Sequence, residues 1–243
     1  MLGGTISNTG TSVVIGNVGA TITITGFPPG TATGTVYTAP NGPSSIVGEA
    51  YMDFVAAYDY AAGETPTQSI NGLDASQVFV GNTVYSSAPM TNVTSTAGIT
   101  LTFNAQNNSS EVFLMQIPGA LTIDGPITFA LEGGALASNI YWIVGAAATI
   151  SPSDVPVTFD GNILTQTSFT MSANTGGSGV LAGTIKGCVF AETANTLAGT
   201  TDINGCTGVA SLTPEPGAAG LAVLGFLVGG FRMRRRRLNT PWR

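Results

Sequence analysis

Short stretches in which apolar residues alternate with Thr or Ser recur along most of the chain, and this pattern limits the possible folds most strongly. Ala146–Ile150, Thr167–Met171 and Cys188–Glu192 are spaced by about 21 residues, a period typical of stacked coils. Gly119–Ile123 is a fourth segment of the same kind. Alternation predicts strands, and a regular spacing predicts that each strand lies beside the equivalent strand of the previous coil. A β-sandwich is the alternative that this pattern leaves open.

A second pair of segments has the order apolar–Thr–apolar. These are Ile127–Phe129 and Val157–Phe159. Because neighbouring side chains of a strand point to opposite faces, we expect the apolar residues inside and Thr128 and Thr158 outside.

One segment with a different period predicts a single helix over about residues 45–62. Tyr51, Phe54, Val55 and Tyr58 recur at the spacing that places them on one helix face. Ser44 and Ser45 are both candidates for the N-cap, and Gly63 suits the position after the last turn. We expect the aromatic face to pack on a sheet as core, without a functional role.

The distribution of charge excludes several classes of function. Charged residues make up 8% of the chain, there is no His, and Lys186 is the only basic residue before Arg232. An acidic body of this kind lacks the positive surface that binds nucleic acid. It also lacks the commonest general base and metal ligand, and its carboxylates are scattered along the sequence. We therefore expect no enzyme activity, no cofactor and no metal.

The last part of the sequence, residues 211–243, has three successive features. A Pro-Glu-Pro triplet precedes an apolar run over residues 217–231, and a basic cluster follows. This order resembles the PEP-CTERM sorting signal, carried here by Pro214, Glu215, Pro216, Arg234, Arg235, Arg236 and Arg237. The resemblance implies a hydrophobic C-terminal helix in the inner membrane of a Gram-negative bacterium. It also implies processing by an exosortase-type enzyme, followed by release to the cell surface or the extracellular space.

No basic and apolar leader precedes the first strand-like segment at Leu2. Because proteins with such a tail are exported, we expect the true N-terminus to lie upstream of Met1. Cys188 and Cys206 are the only cysteines. In an exported protein a disulfide between them is expected, with two free thiols as the alternative.

The body, residues 1–210, resembles the bacterial and fungal ice-binding protein family. The likeness is carried, in order, by Leu2–Gly10, Thr25–Gly30, Ala56–Gly63, Thr65–Thr67, Leu101–Gln106, Val112–Ile117, Ile140–Gly145 and Gly161–Leu164. It fades after Gly177. The resemblance implies a mainly β protein, a right-handed β-solenoid with one long α-helix alongside, which adsorbs to ice as a monomer and limits crystal growth or recrystallisation.

The same family often carries the motif Thr-(Ala/Gly)-x-(Thr/Asn) on its ice-binding face. Residues 193–196 match it, residues 172–175 nearly match it, and their spacing predicts that the two stack. With the two outward Thr above, the candidate ice-binding residues are Thr193, Asn195, Thr196, Ser172, Asn174, Thr175, Thr128 and Thr158. A non-catalytic adhesive or structural matrix protein on the same scaffold is the alternative function.

Overall fold

The structure is a computed structural model that describes residues 1–70, 72–87, 93–95, 98–151, 156–172 and 181–205. In residues 93–95 and 181 it describes the backbone only. The hydrophobic tail expected after residue 211 lies outside these ranges. Within them, no helix is long and apolar enough to cross a membrane.

One α-helix and 21 strands follow one another along the described chain, with a single 3-10 turn at Ala137–Asn139. They are β1 (Leu2–Asn8), β2 (Val13–Ile15), β3 (Val18–Thr25), β4 (Thr31–Ala32), β5 (Val36–Tyr37), α1 (Ile46–Gly63), β6 (Gln68–Ser69), β7 (Gln77–Val80), β8 (Thr83–Ser86), β9 (Val93–Ser95), β10 (Ile99–Asn104), β11 (Phe113–Ile117), β12 (Leu121–Ile123), β13 (Ile127–Glu132), β14 (Ile140–Val144), β15 (Ala148–Ile150), β16 (Val157–Asp160), β17 (Asn162–Thr165), β18 (Ser168–Ser172), β19 (Leu181–Lys186), β20 (Val189–Ala198) and β21 (Thr200–Asn204).

The strands form coils of three, and equivalent strands of successive coils pair in parallel. The chain passes from β11 to β12 to β13, and the next coil repeats the course with β14, β15 and β16. β11 pairs with β14, and β12 pairs with β15. The mainly β fold with one helix is therefore confirmed. A β-sandwich is the wrong alternative, because sandwiches are built from antiparallel sheets.

We name the three sides of the stack by their strands. Face a contains β6, β8, β11, β14, β17 and β5, with the first parts of β20, β1 and β3. Face b contains β9, β12, β15 and β18, with the second parts of the same three strands. Face c consists of a sheet of β7, β10 and β13 and a separate sheet of β16, β19, β21, β2 and β4.

The interior of the coils is apolar and rich in aromatic rings. Phe79, Phe103, Trp142 and Phe159 are at most 1% exposed. Phe129 lies 5.0 Å from Phe159 between ring centroids, although their strands belong to different sheets of face c. Ile127 and Val157 are buried and Thr128 and Thr158 are exposed, so the inward and outward assignment of these segments is confirmed.

Helix α1 covers face a from outside. Its N-cap is Ser45, whose side chain accepts a hydrogen bond from the Gly48 backbone N–H at 3.0 Å. Phe54 and Tyr58 are buried against Leu114 and Tyr141 of the sheet, as the aromatic helix face predicts. An 18-residue helix is about 27 Å long, so α1 carries the chain along the stack from the β5 end to the β6 end.

The order of coils in the stack differs from the order in the sequence. After α1 the coils build back along the stack until β20, which pairs with the N-terminal strand β1. β1 in turn pairs with β3 on its other side. We call the contact between β1 and β20 the seam, because these two strands lie near opposite ends of the described sequence.

Candidate functional site

Face b carries a row of outward hydroxyl side chains, one on each of the strands β12, β15, β18, β20, β1 and β3. Thr122 is the partner of Thr149, Thr149 of Thr170, and Thr170 of Thr196. Across the seam the row continues from Thr196 to Ser7 and from Ser7 to Thr25. The inward residues beside Thr122, Leu121 and Ile123, are fully buried, so the row points to solvent.

The row is regular because every one of its pairs is parallel and in register. Neighbouring strands of a sheet are about 4.7–4.9 Å apart, so six hydroxyl residues repeat at one short interval along the stack. Five of the six are half-buried, and the sixth, Thr25 at the end, is exposed. The β-branch of Thr limits χ1 to few rotamers, so the row is stiff as well as regular.

Small residues lie on both sides of this row, which keeps the surface flat. Ser168, Ala194, Thr5 and Thr23 form a parallel row two residues earlier in the strands. Ser172 and Ala198 pair on the other side. Together these three rows form a surface of small outward side chains. Ile22 of β3, which is 61% exposed, precedes the part of that strand that pairs with β1 on face b.

Face b also carries no charge on its described strand residues. Asp124 lies just beyond β12, outside the strand. Glu192 lies in β20 before the part that belongs to face b. The Thr row therefore presents hydroxyl and methyl groups to solvent and no ionic group.

Glu192 lies at the corner between faces a and b, close to Tyr58 and Asp59 of α1. The Tyr51 hydroxyl donates a hydrogen bond to the Glu192 backbone carbonyl at 3.0 Å. Burial raises the pKa of the Glu192 carboxyl, and the negative charge of Asp59 raises it further. Thr193 follows at the corner, where its hydroxyl donates to the Thr167 carbonyl at 2.6 Å.

The structure separates the motif residues that the sequence grouped. Thr196 and Ser172 lie outward on face b, and Thr193 lies at the corner. The prediction that Asn195 contacts ice is wrong, because this residue is fully buried. Its position alternates with Thr196, and alternation places it inside the coil. Asn174 and Thr175 lie outside the described residues.

The predicted stacking of residues 172–175 on 193–196 is also wrong. Ser172 pairs with Ala198, and Thr193 lies beside Thr167, 26 residues away. The predicted equivalence of Cys188–Glu192 to the other repeat segments is therefore wrong, since Val189–Ala191 pair with β17 on face a. The coil that leads from β17 to β20 is longer than the coil from β14 to β17, so a constant spacing does not identify the equivalent segment.

Thr128 and Thr158 lie on face c, which differs from face b in charge and continuity. Their strands β13 and β16 belong to separate sheets. Thr158 pairs with Thr184 of the next strand, and Thr184 pairs with Asp202 of the strand after it. In the next row the Asp160 carboxylate lies 3.6 Å from the Lys186 ammonium. Burial raises the pKa of Asp160, and Lys186 offsets part of that rise.

Sequence reasoning missed five of the six members of the row, namely Thr122, Thr149, Thr170, Ser7 and Thr25. A signal for the first three was present, because they occupy the same position in the three repeat segments that align correctly. Ser7 and Thr25 had no such signal, since only the seam brings their strands beside β20.

The remaining predicted positions are only partly described. Cys188 is buried and disulfide-bonded, while Cys206 lies outside the described residues. Pro214, Glu215, Pro216 and Arg234 to Arg237 lie outside them as well. Among the residues that the structure describes, no group of three or more Cys, Asp or Glu side chains is placed to hold a metal ion.

Comparison with known proteins gives one consistent result. A family model described as "Ice-binding-like" matches residues 1–210. An ice-binding protein of a Nostoc species is 30% identical over 172 residues, which are 70% of this chain and 60% of the relative. An ice-binding protein of a Colwellia species is 32% identical over 76% of this chain and 72% of its own length.

Solved structures of similar proteins have the same fold. The ice-binding protein of the Antarctic ascomycete Antarctomyces psychrotrophicus is 28% identical with a TM-score of 0.68, covering 82% of this chain and 91% of that one. A glycosylated ice-binding protein from an Arctic yeast has a TM-score of 0.69 at 23% identity, with 88% and 93% coverage. The chain spans about 60% of the length of the Nostoc relative and 66% of that from Flavobacterium frigoris.

Proposed function

We propose that this chain, which belongs to the ice-binding-like family, adsorbs to ice crystals through face b. The observation that carries the proposal is the in-register hydroxyl row from Thr122 to Thr25. The strand spacing that sets the interval of this row is close to the oxygen spacing in the ice lattice. Adsorbed protein would hinder growth or recrystallisation of the crystal.

The chemistry of Thr supports face b as the adsorbing surface. Each hydroxyl can anchor one ordered water molecule, and each methyl leaves the gap between neighbours apolar. Because the side chain is already limited in χ1, binding costs little rotamer entropy. Ice offers no charge to pair with, so an uncharged surface loses no ionic hydration on contact.

The other two faces are poorer candidates for adsorption. Face a is covered by α1. Face c is divided into two sheets and carries Lys186, Asp202 and Glu132 on its strands. We therefore assign Thr128 and Thr158 no part in adsorption.

The test is crystal shaping and thermal hysteresis of the purified protein in a nanolitre osmometer, with folding checked by circular dichroism. Faceted crystals and a gap between melting and freezing points are expected. Round crystals without a gap, from folded protein, would overturn the proposal and favour an adhesive or structural matrix protein. The proposed activity needs no cofactor, no metal and no catalytic step, and a monomer is sufficient for it.

We further propose that residues 211–243 act as the sorting tail, with transient anchoring in the inner membrane and processing near Pro214–Pro216. The support is the order of triplet, apolar run and Arg cluster in the sequence. Expression in a Gram-negative host with an exosortase-type enzyme tests this. The mature protein should end near the triplet by mass spectrometry, and a chain with Pro214, Glu215 and Pro216 replaced by Ala should keep its tail.

A further inference from the structure

Two buried polar side chains interrupt the apolar interior behind face b, and both lie at the seam. The inward residues of the described face-b strands β12, β15 and β18 are all apolar: Leu121, Ile123, Ala148, Ile150, Phe169 and Met171. The next two strands break this pattern. Asn195 of β20 is the partner of Phe169, and Asn8 of β1 is the partner of Leu197.

The Asn195 side chain forms a hydrogen bond with the backbone of the neighbouring strand β1 at the corner between faces a and b. Its side-chain N–H group donates to the Leu2 carbonyl at 2.9 Å. The fit is close, because a Cβ atom on Gly3 would lie 2.4 Å from that nitrogen. The pairing register shifts here, because β20 has one more residue than β1 between the pairs Gly3–Ala191 and Thr5–Ala194. The hydrogen bond of Asn195 therefore lies at an irregularity of the strand pair.

Asn8 forms a second network at the other end of the face-b part of β1. Its side-chain N–H group donates to the carbonyls of Gly10 and Gly26, at 2.6 and 2.9 Å. Its side-chain oxygen accepts from the Ser12 hydroxyl at 2.8 Å. The Ser12 oxygen accepts in turn from the Thr201 backbone N–H at 3.0 Å, which links the network to the C-terminal coil.

Register matters more at the seam than elsewhere in face b. In the other coils a short connection limits how far a strand can slide, whereas β1 and β20 are joined only through most of the chain. A slip of one residue would turn Ser7 inward and Ile6 outward, because side chains alternate. Buried polar groups are costly when unpaired, and the Asn195 side-chain oxygen already has no hydrogen-bond partner, so a wrong register that also separates the amide N–H group from the Leu2 carbonyl is disfavoured. A single buried Asn sets register in this way in coiled coils.

We propose that Asn195 and Asn8 are positioning residues that fix the register of the seam and so continue the hydroxyl row from Thr196 to Ser7 and Thr25. This inference rests on the proposed function for its activity readout only. Two of the seven strands of face b, β1 and β3, depend on the seam for their alignment with the rest.

The first test replaces the amide by an apolar side chain, Asn195→Leu, in the full chain. The register is read without ice, by thiol cross-linking of an added Ser7→Cys/Thr196→Cys pair and mass spectrometry of the product. In the Asn195 background the pair should cross-link, since the two residues are Cα partners. In the Asn195→Leu background the cross-link should be lost, while an added Ile6→Cys/Thr196→Cys pair gains reactivity, because a slip of one residue turns position 6 outward beside position 196.

The second readout compares ice activity with stability. Asn195→Leu without added cysteines should show reduced thermal hysteresis at equal concentration of folded protein, with an unchanged or higher melting temperature. The matched control is Phe169→Leu, at the equivalent inward position one coil earlier. It should lower the melting temperature and leave both the cross-link and the hysteresis of the folded protein intact.

Each outcome bears on the proposal. An unchanged cross-link in Asn195→Leu would overturn it. If that variant does not fold, Asn195→Ala carries the same test, and failure of both to fold would show a stability role instead of a register role. If the cross-link shifts while the unaltered protein has no ice activity, the register proposal stands and the proposed function fails.

Discussion

Faces b and c are built from the same material, and the difference between them shows what a Thr-rich surface needs. Both are parallel sheets with outward Thr residues at alternating positions. On face b the residues from Thr122 to Thr25 stay in register over six strands, without a charged residue in the face-b parts of those strands. On face c the strands β13 and β16 are not hydrogen-bonded, and Asp202 follows Thr158 and Thr184 in the row. Abundance of Thr is therefore common to both faces, whereas regularity and neutrality belong to one.

The strongest test of this comparison places the same bulky residue on each face. Thr149→Tyr should remove nearly all thermal hysteresis, because a ring at the middle of the row prevents flat contact. Thr158→Tyr on face c should leave the activity unchanged. Both substitutions are at outward positions, so the free energy of unfolding should change by about 0.5 kcal/mol or less, measured by urea denaturation. Equal loss of activity in both variants would remove the distinction between the faces.

A finer test separates the two groups of the Thr side chain. Thr196→Val keeps the β-branched shape and removes the hydroxyl, and Thr196→Ser keeps the hydroxyl and removes the methyl. Each should cause a partial loss of thermal hysteresis, since the account assigns a role to both groups. Thr184→Val on face c is the matched control and should have no effect. Full activity in either Thr196 variant would show that the group it lacks is dispensable.

The charged pair of face c should matter for stability and not for ice. Asp160 is 4% exposed and Lys186 is 54% exposed, so Lys186→Met leaves a buried carboxylate without its cation. At neutral pH the unfolding free energy should fall by about 1–2 kcal/mol, less than for a fully buried pair. Thermal hysteresis of the folded variant should be unchanged.

The pH dependence of that loss has a defined sign. Burial raises the pKa of Asp160 in the folded protein, so the folded state takes up a proton at higher pH than the unfolded state does. The penalty of Lys186→Met should therefore shrink as the pH falls through the raised pKa of Asp160, and disappear below the ordinary aspartate value of about 3.9. Urea denaturation at several pH values measures it, and a penalty that grows on acidification would contradict the assignment.

The smallest effect is expected at the corner. Thr193 is exposed, but its hydroxyl is engaged with the Thr167 carbonyl and it lies outside the hydroxyl row. Thr193→Tyr should reduce thermal hysteresis only slightly. A loss as large as that of Thr149→Tyr would extend the adsorbing surface beyond face b to this corner.

Local patterns in the sequence predicted much of the fold. The helix near residues 45–62, its aromatic face, and the inward and outward sides of β13 and β16 all follow from periodicity and are confirmed. Three repeat segments align as predicted, because Leu121, Ala148 and Phe169 are successive partners. The right hand of the coil and the C-terminal hydrophobic helix stay predictions.

What the sequence did not predict depends on contacts between distant segments. The motif at residues 193–196 suggested that Asn195 faces outward, yet its partner Phe169 shows it on the inward side. Ser7 and Thr25 join the hydroxyl row only because β1 lies between β20 and β3. A motif search within one coil contains no information on that insertion.

Adsorption through face b can be measured directly by slow freezing of a mixture. Equal amounts of Thr170→Tyr and isotope-labelled Thr158→Tyr are partitioned between a growing ice front and the remaining liquid, and mass spectrometry gives their ratio in each fraction. If face b is the adsorbing surface, the Thr158→Tyr protein is enriched in the ice and the Thr170→Tyr protein stays in the liquid. Equal partition of the two, or enrichment of Thr170→Tyr in the ice, would contradict adsorption through face b.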